Sequence, residues 1–303
     1  MTGLRIGTRG SPLAMWQANQ VAERLERAGH VVEIKQIRTS GDVRLEVALA
    51  AVGGKGLFIK ELEEALARGH VDIAVHSLKD IPSIMDERFV LAAFLDRGDA
   101  RDAWLHRDRL PFDAIPDGLR IGTSSPRRRA QLLAMNRTTI VDPIRGNVGT
   151  RLRALQDGIF DGIVLAAAGL TRLGYVSDVT HYFDIDEMIP AAGQGIVAIE
   201  TLRDSKAAEI VRQINDGWSE LAARCERGVL QQFGEQLDCY SCVAVHTTME
   251  NGELAIRAFL SDYEAETPLR VTRRGTNPDK LIEDVANELK AGGASELLRS
   301  KTI

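Results

Sequence analysis

Leu119-Arg-Ile-Gly-Thr-Ser-Ser-Pro-Arg-Arg-Arg129 decides how this chain is read, because its first five residues also stand at Leu4-Arg-Ile-Gly-Thr8. Each copy is followed within four residues by Ser and Pro: Ser11-Pro12 and Ser125-Pro126. A short apolar strand, a Gly, a hydroxyl residue and then Ser-Pro predicts strand, turn and helix start. Ser11 and Ser125 are the expected N-caps, with Pro12 and Pro126 at the first helical position. Such a turn aims unpaired backbone N–H groups at whatever lies before the helix and so favours an anion. Two copies about a domain length apart imply two similar α/β lobes.

Working outward, the apolar positions Ala14, Ala18, Val21, Leu25 and Ala28 mark one face of a helix that Gly29 ends. Strands are expected at Val31–Arg38, Val71–Ser77 and Phe89–Leu95, with a helix over Lys55–Arg68. The second lobe begins near Arg101. It has a strand at Leu119–Gly122, a helix at Pro126–Met135, a strand at Thr139–Pro143, a helix at Thr150–Gln156 and a strand at Gly162–Ala168. Alternation of strand and helix means crossover units and a largely parallel sheet. The strand Gly195–Glu200 carries the chain back to the first lobe. From Trp218 the texture becomes helix, strands near Val243–Thr248, Glu253–Leu260 and Leu269–Arg274, then a helix over Pro278–Lys290, which reads as a small α+β domain. The fold expected is α/β, with a first lobe over 1–98 and 195–215, a second over 99–194, and a C-terminal domain over 216–303.

Bulk properties narrow the function. The 303 residues are 44% apolar and 27% charged, with net charge −5. An acidic protein has therefore concentrated Arg120, Arg127, Arg128, Arg129, Arg137, Arg145, Arg151 and Arg153 in one stretch containing a single acid, Asp142. Three successive arginines at a helix start oppose the helix dipole unless an anion is present. No Phe, Tyr or Trp lies in 120–153 to stack bases, so a small ligand with several carboxylates or phosphates fits better than nucleic acid. The glycines of Arg145-Gly-Asn-Val-Gly-Thr-Arg151 would let backbone approach such a ligand. No apolar run reaches membrane-spanning length, and the start of the chain has no apolar signal core. Only three cysteines are present, which points to a reducing, cytoplasmic setting.

Gly53-Gly-Lys-Gly56 lacks nucleotide-loop spacing but puts Lys55 at a helix start. Asp80 follows a buried strand, where α/β sheets bind ligands, and is either a catalytic carboxylate, part of a surface pair with Lys79, or a helix cap. Cys225 reads as a core residue. Cys239 and Cys242 lack the helix of a redox pair, and with His246 they do not complete a metal site. A lone loop thiol remains, as nucleophile or attachment point.

Together, Gly7-Thr-Arg-Gly-Ser-Pro-Leu-Ala-Met-Trp-Gln17, Val52-Gly-Gly-Lys-Gly-Leu-Phe58, Val75-His-Ser-Leu-Lys-Asp-Ile-Pro82, Gly122-Thr-Ser-Ser-Pro-Arg-Arg128, Ile144-Arg-Gly-Asn-Val-Gly-Thr-Arg-Leu152, Ala167-Ala-Gly-Leu-Thr-Arg-Leu-Gly174 and Pro190-Ala-Ala-Gly-Gln-Gly195 closely resemble the porphobilinogen deaminases, also called hydroxymethylbilane synthases. The resemblance runs from residue 4 to the C-terminus and is densest through about residue 200. It implies a transferase that joins four porphobilinogen molecules head to tail with release of ammonia, giving the linear tetrapyrrole hydroxymethylbilane. The chain would grow on a dipyrromethane cofactor held by a thioether to one cysteine. It implies two lobes resembling type II periplasmic binding proteins, flanking a cleft, with the cysteine on a loop of the third domain. It further implies a monomer.

Carried over by position, the carboxylate-binding set is Arg9, Ser11, Lys55, Thr123, Ser125, Arg127, Arg128, Arg145, Arg151 and Arg172, with Gln17, Ser77, Lys79 and Gln194 contributing. Asp80 matches the catalytic aspartate, placed to stabilise the azafulvenium cation left when ammonia departs. Cys239 matches the attachment cysteine. This chain departs from the pattern in three places. The usual Gly-Gly before that cysteine is Leu237-Asp238, with Cys242 where a Pro is usual. Ala51 replaces a frequent Lys, and Pro126 a usual Leu. The competing reading is a non-catalytic carboxylate- or anion-binding module on the same two lobes.

Overall fold

The computed structural model describes residues 3–39, 59–238 and 240–298. In chain order its strands are β1 (Leu4–Thr8), β2 (Val32–Gln36), β3 (Ile73–Ser77), β4 (Phe89–Phe94), β5 (Asp102–His106), β6 (Arg120–Gly122), β7 (Ile140–Asp142), β8 (Gly162–Ala166), β9 (His181–Tyr182), β10 (Val197–Leu202), β11 (Cys242–Glu250), β12 (Glu253–Ser261) and β13 (Leu269–Gly275). They form two five-stranded sheets, ordered β2-β1-β3-β10-β4 and β7-β6-β8-β5-β9, and a three-stranded sheet, β11-β12-β13.

The two five-stranded sheets repeat one plan. β1 pairs in parallel with β2 and β3, and β6 in parallel with β7 and β8. The fourth strand in each order, β10 or β5, then runs antiparallel to both neighbours. The expectation of a largely parallel sheet is corrected to this extent: each sheet is mixed, with one reversed strand. This repeated order makes two similar mixed α/β sheets, as the repeated pentapeptide implies. Chain contacts divide the molecule into two compact units, Met1–Gly98 with Gly195–Ala223, and Asp99–Gln194 with Arg224–Ile303.

The repeated pentapeptide builds the same corner twice. Ser11 Oγ accepts the Ala14 N–H at 3.3 Å and Ser125 Oγ accepts that of Arg128 at 3.3 Å, so both serines cap their helices, Pro12–Arg27 and Pro126–Met135. The glycine of each copy lets a neighbour close on the strand. A Cβ on Gly7 would sit 3.0 Å from Val71, and one on Gly122 would sit 3.0 Å from Phe160.

In the first unit, Ala18, Val21 and Leu25 of helix Pro12–Arg27 bury against Ile6, Ile73, Val75, Val197 and Ile199. Leu62, Ala65 and Leu66 of helix Lys60–Ala67 pack in a separate cluster with Val71, Ala74 and Phe89. In the second unit, Trp104 on β5 is fully buried with Ile121, Leu132, Val164 and Phe183, and its indole N–H donates to the Leu110 carbonyl at 2.9 Å. The three-stranded sheet joins this unit through Cys242, Ala244, Phe259 and Ala265, which pack on Ala130, Leu133 and Ile189.

Element ends moved by a few residues from the sequence reading. After β8 the kind of element changes as well: the strand stops at Ala166, and Ala167–Arg172 is helix, with Arg172 in its last turn. β5 went unread, although it lies inside the sheet.

Gly162 gives a direct test of this packing. A Cβ there would fall 1.9 Å from the Trp104 ring, so the ring would have to move in a core with no space to receive it. Gly162→Ala is expected to destabilise the second unit by about 3 kcal/mol, the upper range for overpacking, whereas Gly217→Ala, where a Cβ meets nothing within 4 Å, is expected to be near neutral. Denaturant midpoints at constant m-value measure both.

Candidate active site

In the first unit the expected residues gather at the C-terminal ends of β1 and β3. Arg9 and Ser11 lie in the turn after β1, and Thr8 Oγ1 ties that turn down by donating to the Ala14 carbonyl at 3.1 Å. Gln17, buried in the helix that follows, donates its amide to Ser77 Oγ at 2.7 Å, so the β1 and β3 sides of this edge are joined. The chain then makes one short 3₁₀ turn, Leu78–Asp80. Leu78 is buried and its N–H donates to the Ile196 carbonyl at 3.0 Å, while the Ile81 N–H closes onto the Leu78 carbonyl at 3.1 Å. Lys79 and Asp80 project from this anchored turn, and both are exposed. A carboxylate is thereby held in water by a rigid backbone at a strand end.

Sequence reasoning passed over what lies behind that turn. His76, on β3, contacts Glu200 of β10 through Nε2 at 2.9 Å, and both side chains are buried. Glu63 is pushed above the usual carboxylate range, first by burial and then by the charge of Glu200.

In the second unit the basic stretch separates into groups with different partners. Arg127 Nη1 reaches Asp102 Oδ2 at 2.6 Å and the Ile189 carbonyl at 2.9 Å. Arg128 gives Asp102 Oδ1 two bonds, from Nε at 2.9 Å and Nη2 at 2.7 Å, and donates Nη1 to the Val164 carbonyl at 3.0 Å. Gln194 adds its amide to the same Oδ1 at 3.0 Å and donates to the Ala100 carbonyl at 2.7 Å. The anion demanded by a triple-arginine helix start is thus supplied, for Arg127 and Arg128, by the protein itself.

Asp102 is 0% exposed. Burial alone would raise its pKa, yet the charges of Arg127 and Arg128 outweigh that and hold it well below the carboxylate range. Burial pulls Arg128 down from its ordinary value, and Asp102 opposes the change.

Arg129 and Arg137 serve packing instead. Arg129 donates to the Tyr263 carbonyl, pairs with Glu264 at 3.0 Å and stacks 4.1 Å over the Tyr263 ring. Arg137 donates to the Glu264 and Ala265 carbonyls. Arg120 pairs with Asp142 at 2.6 Å. Arg145 is exposed, and Arg151 is half-buried with Nε donating to the Gly146 carbonyl at 2.9 Å across a left-handed glycine, φ 95°. Thr123, at the end of β6, is buried, and its Oγ1 accepts the Ser125 N–H at 3.2 Å.

Of the cysteines, Cys225 and Cys242 are buried, and burial lifts their thiols to about 11 and about 12, so neither forms a thiolate near neutrality. Cys239 and Lys55 lie outside the described residues. On either side of Cys239 the chain is well tied: Asp238 Oδ1 accepts the Tyr240 N–H at 3.0 Å and the Ser241 hydroxyl at 3.1 Å, and Ser241 Oγ accepts the Asp238 N–H at 2.9 Å. Among the described residues no His, Cys, Asp and Glu group is placed to hold a metal ion, and no helix is long and apolar enough to cross a membrane.

The family model for "Porphobilinogen deaminase, dipyromethane cofactor binding domain" matches residues 4–210. A porphobilinogen deaminase of Acidithiobacillus ferrooxidans is 43% identical over 298 residues, 97% of each chain. One from Geobacter metallireducens is 42% identical over 300 residues, covering 97% of this chain and 93% of that one. Among solved structures, the methionine-binding protein MetQ overlaps 70% of this chain and 89% of its own at TM-score 0.45 and 12% identity.

The Asp102 cluster predicts a defined response to mutation and acid. Asp102→Ala leaves two buried guanidinium groups without their counter-charge and is expected to cost about 3–5 kcal/mol, the usual loss when one partner of a buried pair is removed. Because the folded pKa is depressed, the contribution is complete above the unfolded value of about 3.9 and is lost as pH falls below it. Unfolding free energies measured from pH 6 to 2 are therefore expected to converge for wild type and Asp102→Ala toward the acid end.

Proposed function

This chain belongs to the porphobilinogen deaminase family, and on that premise we propose that it condenses four porphobilinogen molecules head to tail, releasing ammonia at each step, to make hydroxymethylbilane on a dipyrromethane primer attached to Cys239. The structural observation that carries the reading is the helix start at Pro126. There Arg127 and Arg128 are locked in place by Asp102, beside the hydroxyl groups of Thr123 and Ser125. Each porphobilinogen ring bears an acetate and a propionate, so primer and product are polyanions. A fixed set of guanidinium and hydroxyl donors suits them, and suits a dipyrromethane, better than a mononucleotide.

Bound at Cys239, the dipyrromethane supplies the free pyrrole carbon onto which the chain grows. This protein's residues do the rest. Arg127, Arg128, Arg145, Arg151 and Arg172, with Arg9, Ser11, Lys55, Thr123 and Ser125, hold ring carboxylates. Gln17, Ser77, Lys79 and Gln194 order the edges beside them. Asp80 offsets the azafulvenium charge on the substrate and moves protons at the pyrrole N–H as ammonia leaves. Its anchored turn gives that carboxylate a fixed position, which electrostatic stabilisation of a transient cation requires.

The attachment role falls to Cys239 partly because Cys225 and Cys242 are buried, protonated thiols. The proposal includes three domains, 1–98 with 195–215, 99–194 and 216–303, in a cytoplasmic monomer. A bare binding module would have no use for residues 216–303, over which the similarity to full-length relatives continues.

Asp80→Asn keeps the shape of the side chain and removes its charge. Porphobilinogen consumption by primer-loaded protein is expected to fall on the order of 10²–10³, with Asp80→Glu intermediate because the charge is kept but displaced. Near-normal turnover by the Asn variant would remove Asp80 from catalysis.

Mass spectrometry of denatured protein tests the attachment. Wild type, Cys242→Ser and Cys225→Ala are expected to carry the added mass of two pyrrole units, and Cys239→Ser to lack it. Retention by Cys239→Ser with loss in Cys242→Ser would reassign the attachment residue.

A further inference from the structure

Residues 189–194 run beside the arginine pair and touch its support at both ends. The Ile189 carbonyl accepts Arg127 Nη1 at 2.9 Å, and Ile189 is also fixed to Gln131, whose amide donates to the same carbonyl at 3.0 Å and whose Oε1 accepts the Ile189 N–H at 2.8 Å. At the other end Gln194 donates to Asp102 at 3.0 Å, and its N–H closes a turn onto the Ala191 carbonyl at 2.9 Å. Gly193, inside that turn, has φ 75° and donates its N–H to Glu226 Oε2 at 2.6 Å.

Glu226 sits on helix Gly217–Gln231 and is 0% exposed. Its other oxygen, Oε1, accepts the Thr247 N–H from β11 at 2.8 Å and faces His246 Nδ1 at 3.4 Å. A buried carboxylate is expensive, and this one meets backbone amides from two separate segments. One of those segments is the strand that begins three residues after Cys239; the other is the one that carries Gln194.

We infer that Glu226 is a positioning residue: by clamping the Gly193 amide to β11 it sets the placement of Gln194, Asp102 and the Arg127–Arg128 pair, and so the grip of that pair on the carboxylates of substrate and growing chain. The part concerning substrate rests on the proposed function above. The clamp needs two acceptor oxygens. In Glu226→Gln one oxygen becomes NH₂, which must face either the Gly193 or the Thr247 N–H, donor against donor, at unchanged side-chain volume.

Two measurements on the full-length protein decide it. Hydrogen exchange followed by NMR reads the linkage without any turnover. Glu226→Gln is expected to speed exchange at the Gly193 N–H and the Arg128 Nε–H, while amides in the first sheet keep wild-type protection. Kinetics on primer-loaded protein is expected to show KM for porphobilinogen raised about tenfold, as for loss of a charge-assisted hydrogen bond, with kcat changed less than twofold. Glu226→Asp, which keeps both acceptors on a shorter arm, is expected to recover part of both effects and replaces the Gln variant if that one does not fold.

Unchanged Arg128 exchange, or a fall in kcat at constant KM, would overturn the inference and leave Glu226 a purely structural residue. Arg128→Lys in the same assay separates the two levels. If KM is unaffected there, the carboxylate-binding role of the pair fails, whereas the exchange result still decides whether Glu226 places it.

Discussion

A single buried carboxylate, that of Asp102, makes the rest of the second unit possible. It lies at the start of β5, inside a sheet, and neutralises guanidinium groups that enter from a helix whose dipole would repel them. Without that charge the helix start would bring like charges together in a region of low dielectric, where Coulomb repulsion is poorly screened. With it, two arginines become rigid parts of the fold.

The first unit uses the same corner differently. Its helix start holds no arginine triplet; Arg9 precedes the cap and Gln17 crosses to Ser77. Its contribution is instead the short turn after β3 that presents Asp80. One backbone plan is therefore fitted out differently in the two units: Arg127 and Arg128 lie in the corner after β6, Arg9 precedes the cap in the corner after β1, and Asp80 stands on the separate turn after β3. A duplicated strand–cap–helix corner is well suited to this, because the capping serine satisfies the helix end in both copies whatever side chains follow.

Most of the architecture was legible in the sequence because it rests on local chemistry. The repeated Leu-Arg-Ile-Gly-Thr announced two similar sheets, and Ser-Pro fixed where each first helix begins. What escaped depended on residues far apart in the chain. The reversed strands β5 and β10 look like any other apolar run, and nothing local marks their direction. Asp102 stands alone in sequence, so its meaning appears only when Arg127, Arg128 and Gln194 arrive beside it. The His76–Glu200 and Glu226–Gly193 contacts are of the same kind, each joining elements more than thirty residues apart. The strand predicted through Ala168 failed for a local reason: an apolar run does not say where strand gives way to helix when Ala and Leu fill both.

The order β2-β1-β3-β10-β4 also constrains how the molecule can be made. β10 lies between β3 and β4, yet it is the last of the five to leave the ribosome, about a hundred residues after β4. Until then the edges of β3 and β4 that it will join have no partner, and the apolar side chains of Val197 and Ile199 are missing from the core they complete. The second sheet can assemble earlier, since all its strands lie between Asp102 and Tyr182. Synthesis thus favours a nascent chain in which the middle of the polypeptide is structured while its beginning waits with open strand edges, the situation in which chaperone binding or mispairing between neighbouring chains competes with folding.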